Sequence, residues 1–234
     1  MIKICGIAII CLFWVLLSSC ATRIDAVLAS NGSLSMNMGT SLQPRISALI
    51  ERMYNASGQE GLILNATLMA DSLSDAPGVT SVSFRNTSSS AIEGNIRISQ
   101  INELLTVTGE TKFINYEQSP SGGRCEITIN RENGPEIIDL LSFEISDYLN
   151  ALMAPIVTGE ELSTKEYLDL VASFYNKPIS DEIASSRVNI SVDFPGPITS
   201  IKGGTFLGRR ATFNIPLLEL LVLETPMVFE VRWN

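Results

Sequence analysis

The sequence predicts an α+β fold: an antiparallel curved sheet with amphipathic helices packed mainly on one face. Three observations predict it. Segments with period-two alternation come in sets, helical segments fall between the sets rather than after single strands, and no low-complexity linker divides the chain. Residues 20–234 are expected to form a single domain, preceded by a leader over residues 1–19.

The first set is a hairpin. Ile24, Ala26 and Leu28 alternate with polar or small neighbours, and Leu34, Met36 and Met38 alternate with Ser33, Ser35 and Asn37. Asn31-Gly32 between them is the pair favoured in a type I′ turn, so one face of the hairpin is apolar and the other polar. A helix is expected over residues 43–55. Pro44 suits its first turn, Ile46, Leu49, Ile50, Met53 and Tyr54 share a face, and Gly58 supplies the stop. Residues 62–73 read as a smaller helix, with a strand over 62–66 as the competitor.

The next set is β-rich. Residues 80–85 and 91–99 alternate through Val82, Phe84, Ile92, Ile96 and Ile98, with 86–90 as their polar connection. Residues 112–117 and 124–130 flank Ser119-Pro120-Ser121-Gly122-Gly123 and read as another hairpin. Pro135 opens a helix expected to reach Leu152. Ile137, Ile138, Leu141, Ile145, Tyr148, Leu149 and Leu152 form its apolar stripe, and Glu136, Asp139, Glu144 and Asp147 its opposite side. Ser163 and Glu166 match a capping box and start a helix that Asn176 and Pro178 end, with a short helical turn after it at 181–184. Strands return at the end. Val188, Ile190, Val192 and Phe194 alternate strictly, Pro195-Gly196-Pro197 breaks the run, and residues 211–215 and 229–233 read as further strands. Pro216–Leu223 fits a short helix or an apolar strand equally well.

The leader carries the most specific signal. Lys3 is its only charge, and residues 4–17 form an apolar run of signal-peptide length, short for a membrane span. Leu17-Ser18-Ser19-Cys20 closes that run and resembles a bacterial lipobox, in which a signal peptidase cuts before a cysteine bearing a diacylglycerol. An ordinary signal peptide with an incidental Cys20, and an N-terminal membrane anchor, are the competing readings. On the lipobox reading Cys20 is the first mature residue and the lipid attachment site. The protein then sits on the periplasmic or outer face of an envelope membrane, held by acyl chains such as palmitate. Two or more chains anchor stably where one binds marginally.

Composition narrows the rest. Loss of Lys3 with the leader leaves 15 basic residues against 25 acidic ones, a net charge of about −10. Nucleic acid is a poor partner for such a domain, and anionic headgroups are expected to repel it, so acylation rather than charge would hold it to a bilayer. With Cys20 acylated, Cys125 has no intramolecular partner, and its alternation with Ile127 and Ile129 reads as a buried thiol in a strand. The chain has no histidine. That excludes Ser-His-Asp and Cys-His catalysis and imidazole-based zinc sites. No phosphate loop, nucleophile elbow or calcium loop occurs. No metal or cofactor is expected.

Residues 188–215 combine an alternating strand, Asp193-Phe194-Pro195-Gly196-Pro197-Ile198, Gly203-Gly204 and a second strand near Phe213. With the strand, Asn31-Gly32 and second strand that follow Cys20, they resemble the LppM-like lipoprotein domain family of bacterial envelopes. The resemblance rests on about 45 residues of some 215. It implies a membrane-tethered α+β domain related to lipid-binding folds, and it brings no catalytic residue.

The expected function is therefore that of a non-enzymatic envelope lipoprotein binding a lipid or other amphiphile in an apolar pocket. Its walls would be the helical stripes of residues 43–55 and 135–152. The alternative is a protein-interaction or structural component of an envelope assembly. Glu136, Asp139, Glu144 and Asp147 read as a solvated helix face, and Asp193 as a turn residue, rather than as acid–base catalysts.

Overall fold

The computed structural model describes residues 20–56, 63–76, 78–101, 114–139 and 148–234. In its first half β1 (Cys20–Leu28), β2 (Leu34–Ser41), α1 (Pro44–Ala56), α2 (Ala66–Ser74), β3 (Val79–Ser88), β4 (Ala91–Ile98), β5 (Ile114–Ser119) and β6 (Gly122–Ile129) follow one another. The second half holds α3 (Gly134–Asp139), α4 (Pro155–Thr158), α5 (Thr164–Phe174), α6 (Lys177–Ser185), β7 (Arg187–Asp193), β8 (Ile198–Lys202), β9 (Thr205–Leu207), β10 (Arg210–Pro216), α7 (Leu217–Val222) and β11 (Met227–Trp233).

The architecture is mixed α+β and mostly antiparallel, but among the described residues it has two sheets where the sequence pointed to one. The larger has the order β3-β4-β2-β1-β7-β10-β9, and the smaller β5-β6-β11-β8. Every neighbouring pair is antiparallel except β1 with β7, where Ile24 lies beside Ile190 and Ala26 beside Val192. Alternation fixes which residues share a face of a strand. It carries nothing about which distant strand, or which direction, completes the ladder.

The predicted first hairpin forms with Ile24 opposite Met38, Ala26 opposite Met36 and Leu28 opposite Leu34. Its connection is longer than the two-residue turn expected. The Gly32 N–H donates to the Ala29 carbonyl at 2.9 Å with Gly32 at φ +82, and the Asn31 side chain accepts both the N–H and the hydroxyl of Ser33. A four-residue turn ending in a left-handed glycine is the commonest alternative to the type I′ form. β3 also runs further than expected, to Ser88, because Asn86 has partners there. Its side-chain amide donates to the Leu64 carbonyl at 2.6 Å, and its oxygen accepts the Ala66 N–H at 3.1 Å. The same bonds tie the start of α2 to the sheet, and Asn65 caps that helix. The strand alternative for residues 62–66 is not realised at residues 63–66; residue 62 lies outside the described residues.

In register, Val82 and Phe84, Ile96 and Gly94, Met36 and Met38, Ala26 and Ile24, Val192 and Ile190, and Ala211 and Phe213 form one apolar face across six strands. Two cores form on it. One joins Leu28, Ala211, Phe213 and Ile215 of the large sheet to Ile198, Val231 and Trp233 of the small sheet. The other joins Ile92, Met38 and Phe84 to Ile46, Ile50, Met69, Tyr167, Val171, Ile179 and Ile183 of the helices. The helices thus share the face with a second sheet instead of covering it alone.

Local signals explain the helical half. The capping box of α5 is present, with the Ser163 hydroxyl accepting the Glu166 N–H and the Glu166 carboxylate accepting the Ser163 N–H. Pro178 does not terminate the chain's helical run. It sits in the first turn of α6, where its missing N–H costs nothing, and Asn176 caps that helix by accepting the Ile179 N–H at 3.0 Å. The single turn expected at 181–184 is therefore a helix of nine residues. Pro216–Leu223 resolves into α7. Leu221, Val222 and Leu223 enter the helical core, and Leu223 closes the helix at φ +47 while only 2% exposed. Of the helix predicted from Pro135, α3 and residues 148–151 are helical, and 140–147 lie outside the described residues.

Candidate functional site

Cys20 is the first residue of β1 and lies opposite Arg187, the first residue of β7. Arg187 in turn faces Pro216, the last residue of β10. The cysteine of the lipobox-like segment therefore stands at one end of the large sheet, with no spacer between it and the ladder.

The other residues singled out in the sequence, where described, lie on separate elements. Glu136 and Asp139 lie on α3, while Glu144 and Asp147 fall outside the described residues. Asp193 ends β7 and accepts a hydrogen bond from Arg210 Nη1 at 3.1 Å. Cys125 faces the small-sheet core beside Val231, and burial pushes its thiol up to about 11. A thiol held protonated at neutral pH is a poor nucleophile. Among the described residues no group of three acidic or cysteine side chains could hold a metal ion. Of the apolar stripe of α1, Ile46 (5% exposed) and Ile50 (2%) enter the helical core and Leu49 packs against it, while Met53 stays exposed.

What stands open is the other face of the large sheet. Strand alternation that sends Ala26, Ile96 and Phe213 inward sends Asp25, Asn95 and Thr212 outward. Two recesses lie end to end on this face. The first, about 420 Å³, is lined by Arg23, Asp25, Asn37, Arg85, Glu93 and Asn95 among others. The second, about 470 Å³, includes Val27, Ala29, Ser35, Thr80 and Arg97. In register terms these are successive rows of the same four strands, running from the Cys20 end toward the loop of residues 29–33.

The face is charged, and apart from Arg97 the charged groups lining it are paired. Asp25 accepts from Arg23 Nε at 2.6 Å and from Arg210 Nη2 at 2.7 Å, and Arg210 also reaches Asp193. Arg85 pairs with Glu93 directly across the ladder. Between these pairs stand Asn37, Asn95, Ser83 and Ser35, which offer amide and hydroxyl groups. The arrangement supplies hydrogen-bond donors and acceptors to a polar ligand. It provides no activated nucleophile beside a base. Sequence reading found the polar side of each strand but could not unite them, because the order of β3, β4, β2 and β1 is a tertiary fact.

No family model matches the chain, and no curated protein matches it in sequence. Among solved structures, the NMR structure of the Mycobacterium tuberculosis LppM protein folded domain is similar at a TM-score of 0.42 and 10% identity, covering 92% of this chain and 90% of that chain. No helix among the described residues is long and apolar enough to cross a membrane.

Proposed function

We propose that this chain is a bacterial envelope lipoprotein, held to a membrane by acyl chains on Cys20, whose domain binds an amphiphile without catalysis. The observation that carries the reading is the junction at Cys20. A lipobox-like Leu17-Ser18-Ser19 ends where β1 begins, so cleavage before Cys20 would leave the whole described fold intact. Acyl chains on the first residue of a strand leave little slack, and the domain would sit close against the bilayer.

The amphiphile is taken on the open face. The recess at Asn37 and Asn95 suits a polar headgroup, and the neighbouring row at Val27 and Ala29 offers apolar contact. This differs from a pocket between sheet and helices, whose α1 wall is occupied by core packing. The lack of histidine in the sequence and the raised thiol of Cys125 support the non-enzymatic reading.

Mass spectrometry of the protein from its own membranes tests the anchor. The expected mass is that of residues 20–234 plus acyl groups, and Cys20→Ser releases the protein to the soluble fraction. A native N-terminus other than Cys20, or membrane retention of the Cys20→Ser protein with its leader removed, rejects the anchor. Native mass spectrometry of the same material tests the ligand. A co-purifying lipid lost in Asn37→Ala/Asn95→Ala is expected, and its persistence in that variant rejects the open face as its site.

A further inference from the structure

The turn between β9 and β10 is unlike the surface around it. Phe206 and Leu207 are exposed there, Leu207 at 86%. Lys202, Arg209 and Arg210 flank them, and no acidic residue occurs from Pro195 to Leu218 in a chain of net charge −9. Arg210 is engaged by Asp25 and Asp193. Lys202 faces Glu230 across the ladder, but that carboxylate is taken by Arg124 and Arg232. Lys202 and Arg209 enter no ion pair among the described residues.

The base of this hairpin is fixed to the core. A Cβ on Gly204 would fall 2.6 Å from Phe213 Cδ1, and one on Gly203 would fall 2.7 Å from Phe229 Cδ1. Phe213 and Phe229 meet edge to face beneath them at 5.5 Å. The Phe194 N–H donates to the Arg209 carbonyl at 2.8 Å, and the Ile198 N–H donates to the Gly208 carbonyl at 2.9 Å. The turn is therefore held against residues 194–198, with Leu207 86% and Phe206 44% exposed beside it.

Two exposed apolar side chains on the strand that leads into the turn, Phe206 opposite Ala211 and Leu207 opposite Arg210, with Arg209 in the turn and Lys202 at the base of the hairpin, match the chemistry of a membrane interface entered end-on. Phe and Leu enter the acyl boundary while Lys and Arg meet anionic headgroups. An acidic protein surface would satisfy the cations and leave Leu207 wet. An apolar groove would cover Leu207 and strip water from Arg209.

We propose that the hairpin from Gly203 to Arg210 docks on an anionic lipid bilayer, with Phe206 and Leu207 inserted and Lys202 and Arg209 at the headgroups. The net charge of the chain hides this surface, because headgroups sense charge within about a Debye length, roughly 8–10 Å. The proposal does not rest on acylation. Cys20 lies at the Arg187 end of β7 and the hairpin at the Asp193 end, about 20 Å away along the strand.

The test uses residues 20–234 with Cys20→Ser, which keep every described element and carry no acyl site. The protein is sedimented with vesicles of phosphatidylcholine alone and of phosphatidylcholine mixed with phosphatidylglycerol. Binding to the mixed vesicles only, weakened by added salt, is expected. Phe206→Ser/Leu207→Ser and Arg209→Glu should each lose at least about tenfold in affinity, the equivalent of about 1.4 kcal/mol, with unchanged circular dichroism. Failure of the parent protein to bind mixed vesicles overturns the proposal, as does undiminished binding by the double variant. Self-association abolished by Leu207→Ser, without vesicle binding, overturns it in favour of a second copy of the chain as occupant.

Discussion

Glu182 on α6 closes the N-terminus of α1: its Oε2 accepts the backbone N–H of Ile46 at 3.0 Å. The same oxygen accepts the Arg45 N–H at 3.0 Å, and Oε1 lies 3.4 Å from the Arg45 guanidinium. The first N–H groups of a helix have no partner within it. Gln43 precedes Pro44 at this end, so the acceptor is a side chain 136 residues away in sequence from Ile46. Glu182 is 9% exposed, and the bonds tie the start of α1 to α6.

Glu182→Ala should lower stability by about 1–3 kcal/mol, because two amides lose their acceptor in a place water reaches poorly. Glu182→Gln keeps an acceptor oxygen and should lose less. Urea unfolding followed by circular dichroism reads the difference. Equal midpoints for Glu182→Ala and the parent would show that water replaces the carboxylate.

Acid should weaken the fold through Glu230 and Glu166. Hydrogen bonds from Arg232 and Arg124 hold the Glu230 carboxyl below its ordinary value of 4.5, and those from Ser163 do the same for Glu166. A depressed folded-state pKa contributes stability that is present above about pH 4.5 and is lost as pH falls through the folded value. Glu230→Gln should therefore flatten the acid limb of a stability–pH curve and leave the neutral region little changed. A limb as steep as the parent's would remove Glu230 from that role.

The thiol of Cys125 acts at the other end of the scale. Burial raises it from 9.0 to about 11, so the folded protein holds this proton where the unfolded chain releases it. Its contribution is intact below about pH 9 and is lost as pH rises toward 11, at up to about 1.4 kcal/mol per pH unit. Cys125→Ala should reduce that alkaline slope. Native protein at pH 8 should react slowly with a disulfide reagent and promptly in urea; prompt native reaction would contradict the raised thiol of this half-buried cysteine.

Gly94 marks where the large sheet has no room. A Cβ there would lie 2.1 Å from the Ser83 carbonyl oxygen and 2.3 Å from Phe84 Cδ1. Gly94→Ala must move β3 or Phe84, and should cost about 1–3 kcal/mol as other forced overpacking does. Gly159, with nothing within 4 Å of such a Cβ but a φ of +74, is the contrasting position. Alanine there is opposed by backbone conformation alone, about 1 kcal/mol. Thermal melts of the two variants compare them.

Most elements were legible because their signals are local. Ser163 and Glu166 lie one turn apart, so their reciprocal bonds form wherever the helix forms. Ile24, Ala26 and Leu28 alternate whatever they later face. Pro178 misled because a proline reads alike after one helix and in the first turn of the next; the Asn176 cap decides between them. The candidate face was legible only as separate polar residues. Asn37 and Asn95 are neighbours through the β2–β4 ladder, a pairing across 58 positions that no periodicity encodes.

By itself the sequence determined the lipobox-like Leu17-Ser18-Ser19-Cys20, the absence of histidine, and the face of each strand that turns from water. Those follow from residue identity and short-range sterics. Only the tertiary structure decided that β1 and β7 run parallel, that a second sheet shares the apolar face with the helices, and that Cys20 and Leu207 stand at opposite ends of the large sheet. These depend on which apolar surfaces meet, and burial rewards many pairings alike until shape and register choose among them.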